Sequence, residues 1–148
     1  MAGDTAGTAE LYTPEMLRLA TELADFPLAG EWQNMGEARS TTCGSTLRLG
    51  CDLDPDRRIA GLGLQVSACA IGQAAAAIFA HHAVGRNERE IVDCLAGLHA
   101  WLAGEGKRPA WPRLDLLDRA SNYPGRHGAI LLPWTAAAKA LSLPAEPE

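Results

Sequence analysis

The 148-residue chain has no apolar run that reaches the roughly 18 residues of a membrane-spanning helix, so a transmembrane protein is not expected. It has no excess of positive charge either. Thirteen Lys and Arg stand against eighteen Asp and Glu, a formal net charge of −5, which argues against nucleic acid or an anionic membrane as partner. The opening residues, MAGDTAGTAE, lack the basic-then-apolar pattern of a secretory signal, and the expectation is a cytoplasmic protein. There is no Gly-rich phosphate loop, no pair of carboxylates poised for acid–base work and no Ser-His-Asp order, so an enzyme is not expected. No internal repeat is visible. Cysteine is scarce at four residues; in a reducing compartment these are thiols for burial or metal binding rather than two disulfides.

What is present suits one globular domain over residues 1–148, with disordered tails at 1–10 and 143–148. The chain is 47% hydrophobic and 21% charged, ordinary values for a domain able to bury a core. Thr13 as N-cap and Pro14 at the first helical position open a helix whose apolar stripe is Met16, Leu19 and Leu23. The following polar, Gly-containing stretch reads as loop with a short edge strand. From Thr46 the period becomes two. Leu47, Leu49, Cys51 and Leu53 alternate with polar residues, Asp54–Arg58 turns the chain, and Ala60, Leu62, Leu64 and Val66 alternate again. This predicts an antiparallel hairpin.

A helix then runs from Cys69 to His82 and stops before Gly85, with His81 and His82 in its last turn. Asn87 and Glu90 have capping-box spacing at the head of another helix, whose stripe includes Ile91, Cys94, Leu95, Leu98 and Leu102. His99 falls off that stripe and is expected at the surface. Pro112 opens a short helix. A last helix is expected over roughly Ile130–Leu141, with Pro133 in its first turn. Periodicity places Cys51 and Cys94 among core positions, where free cysteine packs as a small hydrophobe.

Cys43 and Cys69 have no such periodic reason. Cys43 lies in the loop TTCGS before the hairpin, and Cys69 follows it directly. The outer ends of a hairpin are adjacent in space, so the two thiols are expected near each other, as in a metal or cluster site. A cysteine at a helix start also meets unpaired N–H groups and the positive end of the dipole, which favour thiolate. The same pair would serve as nucleophile and resolving thiol in sulfur transfer.

Four segments in order, LYTPEMLRLA, CGSTLRL, VSACAIGQAAAA and GRHGAILLPWTAAAKAL, resemble the IscU/NifU-type iron–sulfur cluster assembly scaffolds, the SufU branch in particular. The resemblance spans Leu11 to Leu141. It implies an α+β fold, a small antiparallel sheet of about three strands with helices on one face. It also implies Cys43 and Cys69 as ligands of an iron–sulfur cluster, iron or zinc, and a cysteine desulfurase and cluster-accepting proteins as partners. A homodimer is compatible with it. Against the family pattern Arg-x-x-Cys-Ala-x-Leu-x-Trp, Arg126, Leu132 and Trp134 match. Ala129 stands in place of the third cysteine and Ser45 in place of an Asp. The resemblance leaves His127 as the substitute donor, reaching back from the loop before the last helix. The alternative is a chain that keeps the fold for partner binding, or as a thiol sulfur acceptor, without holding a cluster.

Overall fold

The hairpin predicted by alternation forms as β2 (Thr46–Leu53) and β3 (Ile59–Ser67) in the computed structural model, which describes residues 13–41 and 44–142. The expected tails, residues 1–10 and 143–148, lie outside the described residues. The turn is built by one carboxylate: Asp54 Oδ1 accepts from the N–H groups of Asp56 and Arg58, both at 2.9 Å. A third strand, β1 (Asn34–Arg39), pairs antiparallel with β2, giving the order β1-β2-β3. Leu47, Leu49 and Cys51 point inward and are fully buried, as the alternation requires. The phase slips at the far end, where an irregularity at Asp52/Leu53 pairs Leu53 with Ile59. Ile59 is therefore buried, and Ala60, expected inside, is exposed.

Among the described residues there are four helices, two of them opened by side-chain caps. The first, α1 (Pro14–Thr21), is capped by Thr13, whose side chain accepts from Met16 N–H. Next come α2 (Ala70–His81), with Cys69 as N-cap, and α3 (Glu88–Leu102), where Asn87 and Glu90 form both bonds of the capping box. Between α3 and the last helix the expected short helix is instead two 3₁₀ turns, Leu114–Leu117 and Ala120–Asn122.

The last helix corrects the sequence expectation. α4 runs from Pro124 to Ser142, so it starts six residues early and Pro133 lies in its interior. Pro124 opens it in the position where proline is tolerated, and Gly125 and Gly128 do not break it. Pro133 has no N–H, so the Ala129 carbonyl loses its intrahelical donor.

The core lies between the sheet and the helices. Phe79, Trp111 and Trp134 pack with ring centroids 5.3–5.4 Å apart, and Trp111 donates its indole N–H to Ile78 O at 3.1 Å. Helix α4 meets β1 so closely that a Cβ on Gly36 would sit 2.0 Å from Ala136 O, a contact only glycine permits. Asn34 fixes the register by donating to Ala140 O at 3.0 Å. The opposite sheet face is not bare. Trp32 lies across Gly50 and Gly63, and the chain before it seals the β3 edge, where Leu64 N–H donates to Phe26 O.

Candidate functional site

Of the residues singled out by the sequence, Ser45 and Cys69 flank the Thr46–Ser67 pair at one end of the sheet. The loop joining β1 to β2 is closed at its base by Ser40 N–H to Ser45 O (2.8 Å) and Gly44 N–H to Ser40 O (2.9 Å). Gly44 takes φ 73°, where L side chains are strained. Cys43 itself lies outside the described residues. Its chain neighbour Gly44 stands at the end of the sheet where Thr46 pairs with Ser67. Two residues past Ser67 comes Cys69.

Cys69 is the N-cap of α2, with extended backbone (φ −68°, ψ 174°) and no side-chain capping bond. Its carbonyl accepts from Gln73 N–H at 3.0 Å, and the Gln73 amide reaches back to Ala68 O at 2.9 Å. The thiol is half-buried beside helix N–H groups that lack intrahelical partners.

Ala129, which the resemblance sets in place of a third cysteine, faces the same turn. Ala129 on α4 is fully buried, and its Cβ would be 3.4 Å from a Cβ at Gly72, one turn after Cys69. Gly72 leaves the space above the first turn of α2 without a side chain of its own. Ser45, in the place of the family's Asp, is 5% exposed at the foot of the loop.

His127 is on α4, not in a loop before it. Two residues from Ala129 on a helix is a rotation of about 200°, so the two occupy opposite faces. His127 faces the β1–β2 loop, lining a groove with Ser40 and Thr41. Its Nε2 is 2.7 Å from Ser121 O. A carbonyl only accepts, so Nε2 is the donor in this contact. Among the described residues no three of His, Cys, Asp and Glu converge as a metal centre.

The other thiols stand apart from this end. Cys51 is buried in β2, and burial, with a smaller push from Asp52, raises its pKa to about 11. Cys94, predicted in the core, is half-buried in the wall of a groove with Arg86 and Trp111. Burial still raises its pKa to about 11, against an opposing pull from Arg86. The α3 stripe is wider than the surface packed upon it, so Ile91, Leu98 and Leu102 take the core and Cys94 and Leu95 its margin.

At the far end of α2, His81 is 2.7 Å from a Glu22 oxygen and edge-on to Phe26. His82 has a buried Nε2 without a partner, and burial followed by Arg113, His81 and Arg86 lowers its pKa. His99 is exposed, as expected. Sequence reasoning missed Trp32 and its glycine platform; the only trace was two glycines, Gly50 and Gly63, inside strand patterns.

No family model and no curated protein sequence matches the chain. Solved structures do. A nitrogen-fixing NifU-like protein (N-terminal) from Brucella abortus superposes with a TM-score of 0.82 at 22% identity, over 90% of this chain and 94% of that one. A protein assigned as an iron–sulfur cluster assembly scaffold for the SUF system, from thermophilic Fervidobacterium islandicum AW-1, superposes at 0.77 and 18% identity, covering 90% and 98%. The chain has the α+β fold of these proteins, over nearly their full length.

Proposed function

We propose that this chain is a non-catalytic scaffold of the cytoplasm on which sulfur and iron are held for iron–sulfur cluster assembly. Cys43 and Cys69 are the thiolate ligands. The observation that supports this most is the placement of Cys69 as N-cap of α2, one turn before the Gly72 that meets buried Ala129, in a fold shared with a NifU-like protein and a SUF scaffold. The cluster, or an iron or zinc ion, is cargo here: it arrives with sulfur from a cysteine desulfurase and leaves to an acceptor protein.

The donor set fits a loosely held cargo. A tetrahedral metal takes four ligands, and thiolates are the strongest of them. Two thiolates leave two positions for water or a partner's ligands, and Ser45 supplies no anionic oxygen where the resemblance expects Asp. Cys69 alone would also accept sulfur as a persulfide, and the absence of a third thiolate at Ala129 favours that reading as the second one.

Zinc titration of the full chain with a competing chelator tests the ligand set. Cys43→Ser and Cys69→Ser should each weaken binding by about two orders of magnitude. This is one ligand's share, about 3 kcal/mol, of the roughly 10–16 kcal/mol of four-ligand zinc sites. Ala129→Cys, which sets a thiol against the first turn of α2 at Gly72, should strengthen it by a similar factor. Unchanged affinity in all three variants would remove the metal role and leave the fold to another use.

A further inference from the structure

The two edges of the sheet are treated differently. The β3 edge is sealed: Leu64 N–H donates to Phe26 O and Ile59 exchanges bonds with Gly85 and Arg86. The β1 edge is open. Ser40 N–H donating to Ser45 O sets the phase, so Ala38, Gly36 and Asn34 bond inward to Leu47, Leu49 and Cys51. Met35, Glu37 and Arg39 therefore aim their N–H and C=O groups away from β2. Among the described residues none pairs with them.

Beside the lower half of this edge runs a groove of about 240 Å³. Ala38, Arg39 and Thr41 form one wall, and one stripe of α4, with His127, Leu131 and Thr135 at helical spacing, forms the other. A strand edge facing a helix across an apolar trough is the geometry that takes an extended peptide as an added strand. The lining holds Arg39 and no carboxylate, in a chain whose net charge is −5. The favoured side chain is thus one with an apolar body beside a carboxylate.

We propose that the β1 edge and this groove form a docking site for an extended, acidic-apolar peptide segment of a partner protein, paired with Met35, Glu37 and Arg39. The peptide lies against the loop that carries Cys43, so docking places the partner's chain at the mouth of the cysteine site. The docking surface stands independently of whether Cys43 and Cys69 bind metal. The peptide's carboxylate belongs beside Arg39, with apolar residues beside Met35 and Glu37, whereas a second copy pairing β1 with β1 about Glu37 would set two carboxylates opposite each other, which disfavours that occupant.

The test is a displayed library of randomised eight-residue peptides, panned on the full chain and followed by amide hydrogen exchange of the complex. Selected peptides should carry an acidic residue beside Arg39 and apolar residues elsewhere, and slow exchange at Met35, Glu37 and Arg39 by about tenfold or more, with Gly36 and Ala38 unchanged. Leu131→Glu, which sets a like charge in the groove, and Glu37→Pro, which deletes an edge donor, should each weaken binding by about tenfold or more. Two variants at separate walls guard against one misfolding. Failure to select any peptide, or binding indifferent to both variants, overturns the proposal. So does protection of these three amides in the free monomer, which would assign the edge to the chain's own terminal residues. Protection that rises with protein concentration alone would assign it to a second copy.

Discussion

Gly36→Ala tests how α4 is held where Ala129 and His127 need it. The added Cβ would lie 2.0 Å from Ala136 O, 2.8 Å from Ala140 N and 3.0 Å from Ala140 Cβ. Carbon and oxygen in contact need more than 3 Å, so strand and helix must part by over an ångström. The two nearest obstacles are backbone, and Asn34 clamps the same helix to the same strand. Overpacking of this kind costs about 1–3 kcal/mol, and more where the backbone must move; Gly36→Ala belongs at or above 3 kcal/mol. Alanine's better strand propensity recovers only about 0.5–1 kcal/mol of that. Gly61→Ala is the control, because its Cβ would meet nothing closer than 4.0 Å, on the Trp32 ring. It should be neutral or stabilising by up to about 1 kcal/mol. Urea denaturation with an unchanged m-value reads both. A loss below about 1 kcal/mol for Gly36→Ala would refute the close packing of α4 on β1.

Two further outcomes follow from the titrating groups. Brief alkylation of the native chain near neutral pH should modify Cys69 well before Cys51 and Cys94, whose pKa values near 11 leave only about one thiolate in ten thousand; mass spectrometry of the digested protein reads the order, and equal rates would contradict the burial assigned to Cys51. His82 has its pKa lowered in the folded chain, so the unfolded chain takes up the proton first as pH falls. Stability should therefore drop as pH falls below about 6.5, the unfolded value, until the folded group protonates as well. His82→Gln should flatten that limb of a urea midpoint-against-pH curve, and an unchanged slope would contradict the assignment.

The hairpin was legible because a period of two survives in Leu47, Leu49, Cys51, Leu62, Leu64 and Val66. The caps at Thr13 and at Asn87 with Glu90 were legible because their side-chain chemistry is local. Only an edge-strand hint marked β1, because its inward residues are Asn34, Gly36 and Ala38. None of these is a strand former, and what holds them is the helix laid on Gly36. The start of α4 was hidden by two glycines and a proline that tertiary packing overrides, and Pro133 pulled the expected boundary towards itself. At the site, helix-start chemistry pointed to Cys69. Ala129 has no chemistry of its own, and only the family pattern marked it, before its Cβ was placed against Gly72. That His127 and Ala129 take opposite faces of one helix follows from the helix beginning at Pro124, which the residues alone concealed.

The measurement that bears most directly on the scaffold reading is anaerobic reconstitution of the full chain with ferrous iron, cysteine and a cysteine desulfurase, followed by visible absorbance after desalting. The account predicts a sulfide-to-iron charge-transfer spectrum in the wild type that is short-lived under chelator, lost in Cys43→Ser and Cys69→Ser, and prolonged in Ala129→Cys. A wild type that stays colourless, or a chromophore that survives loss of both thiols, would contradict it.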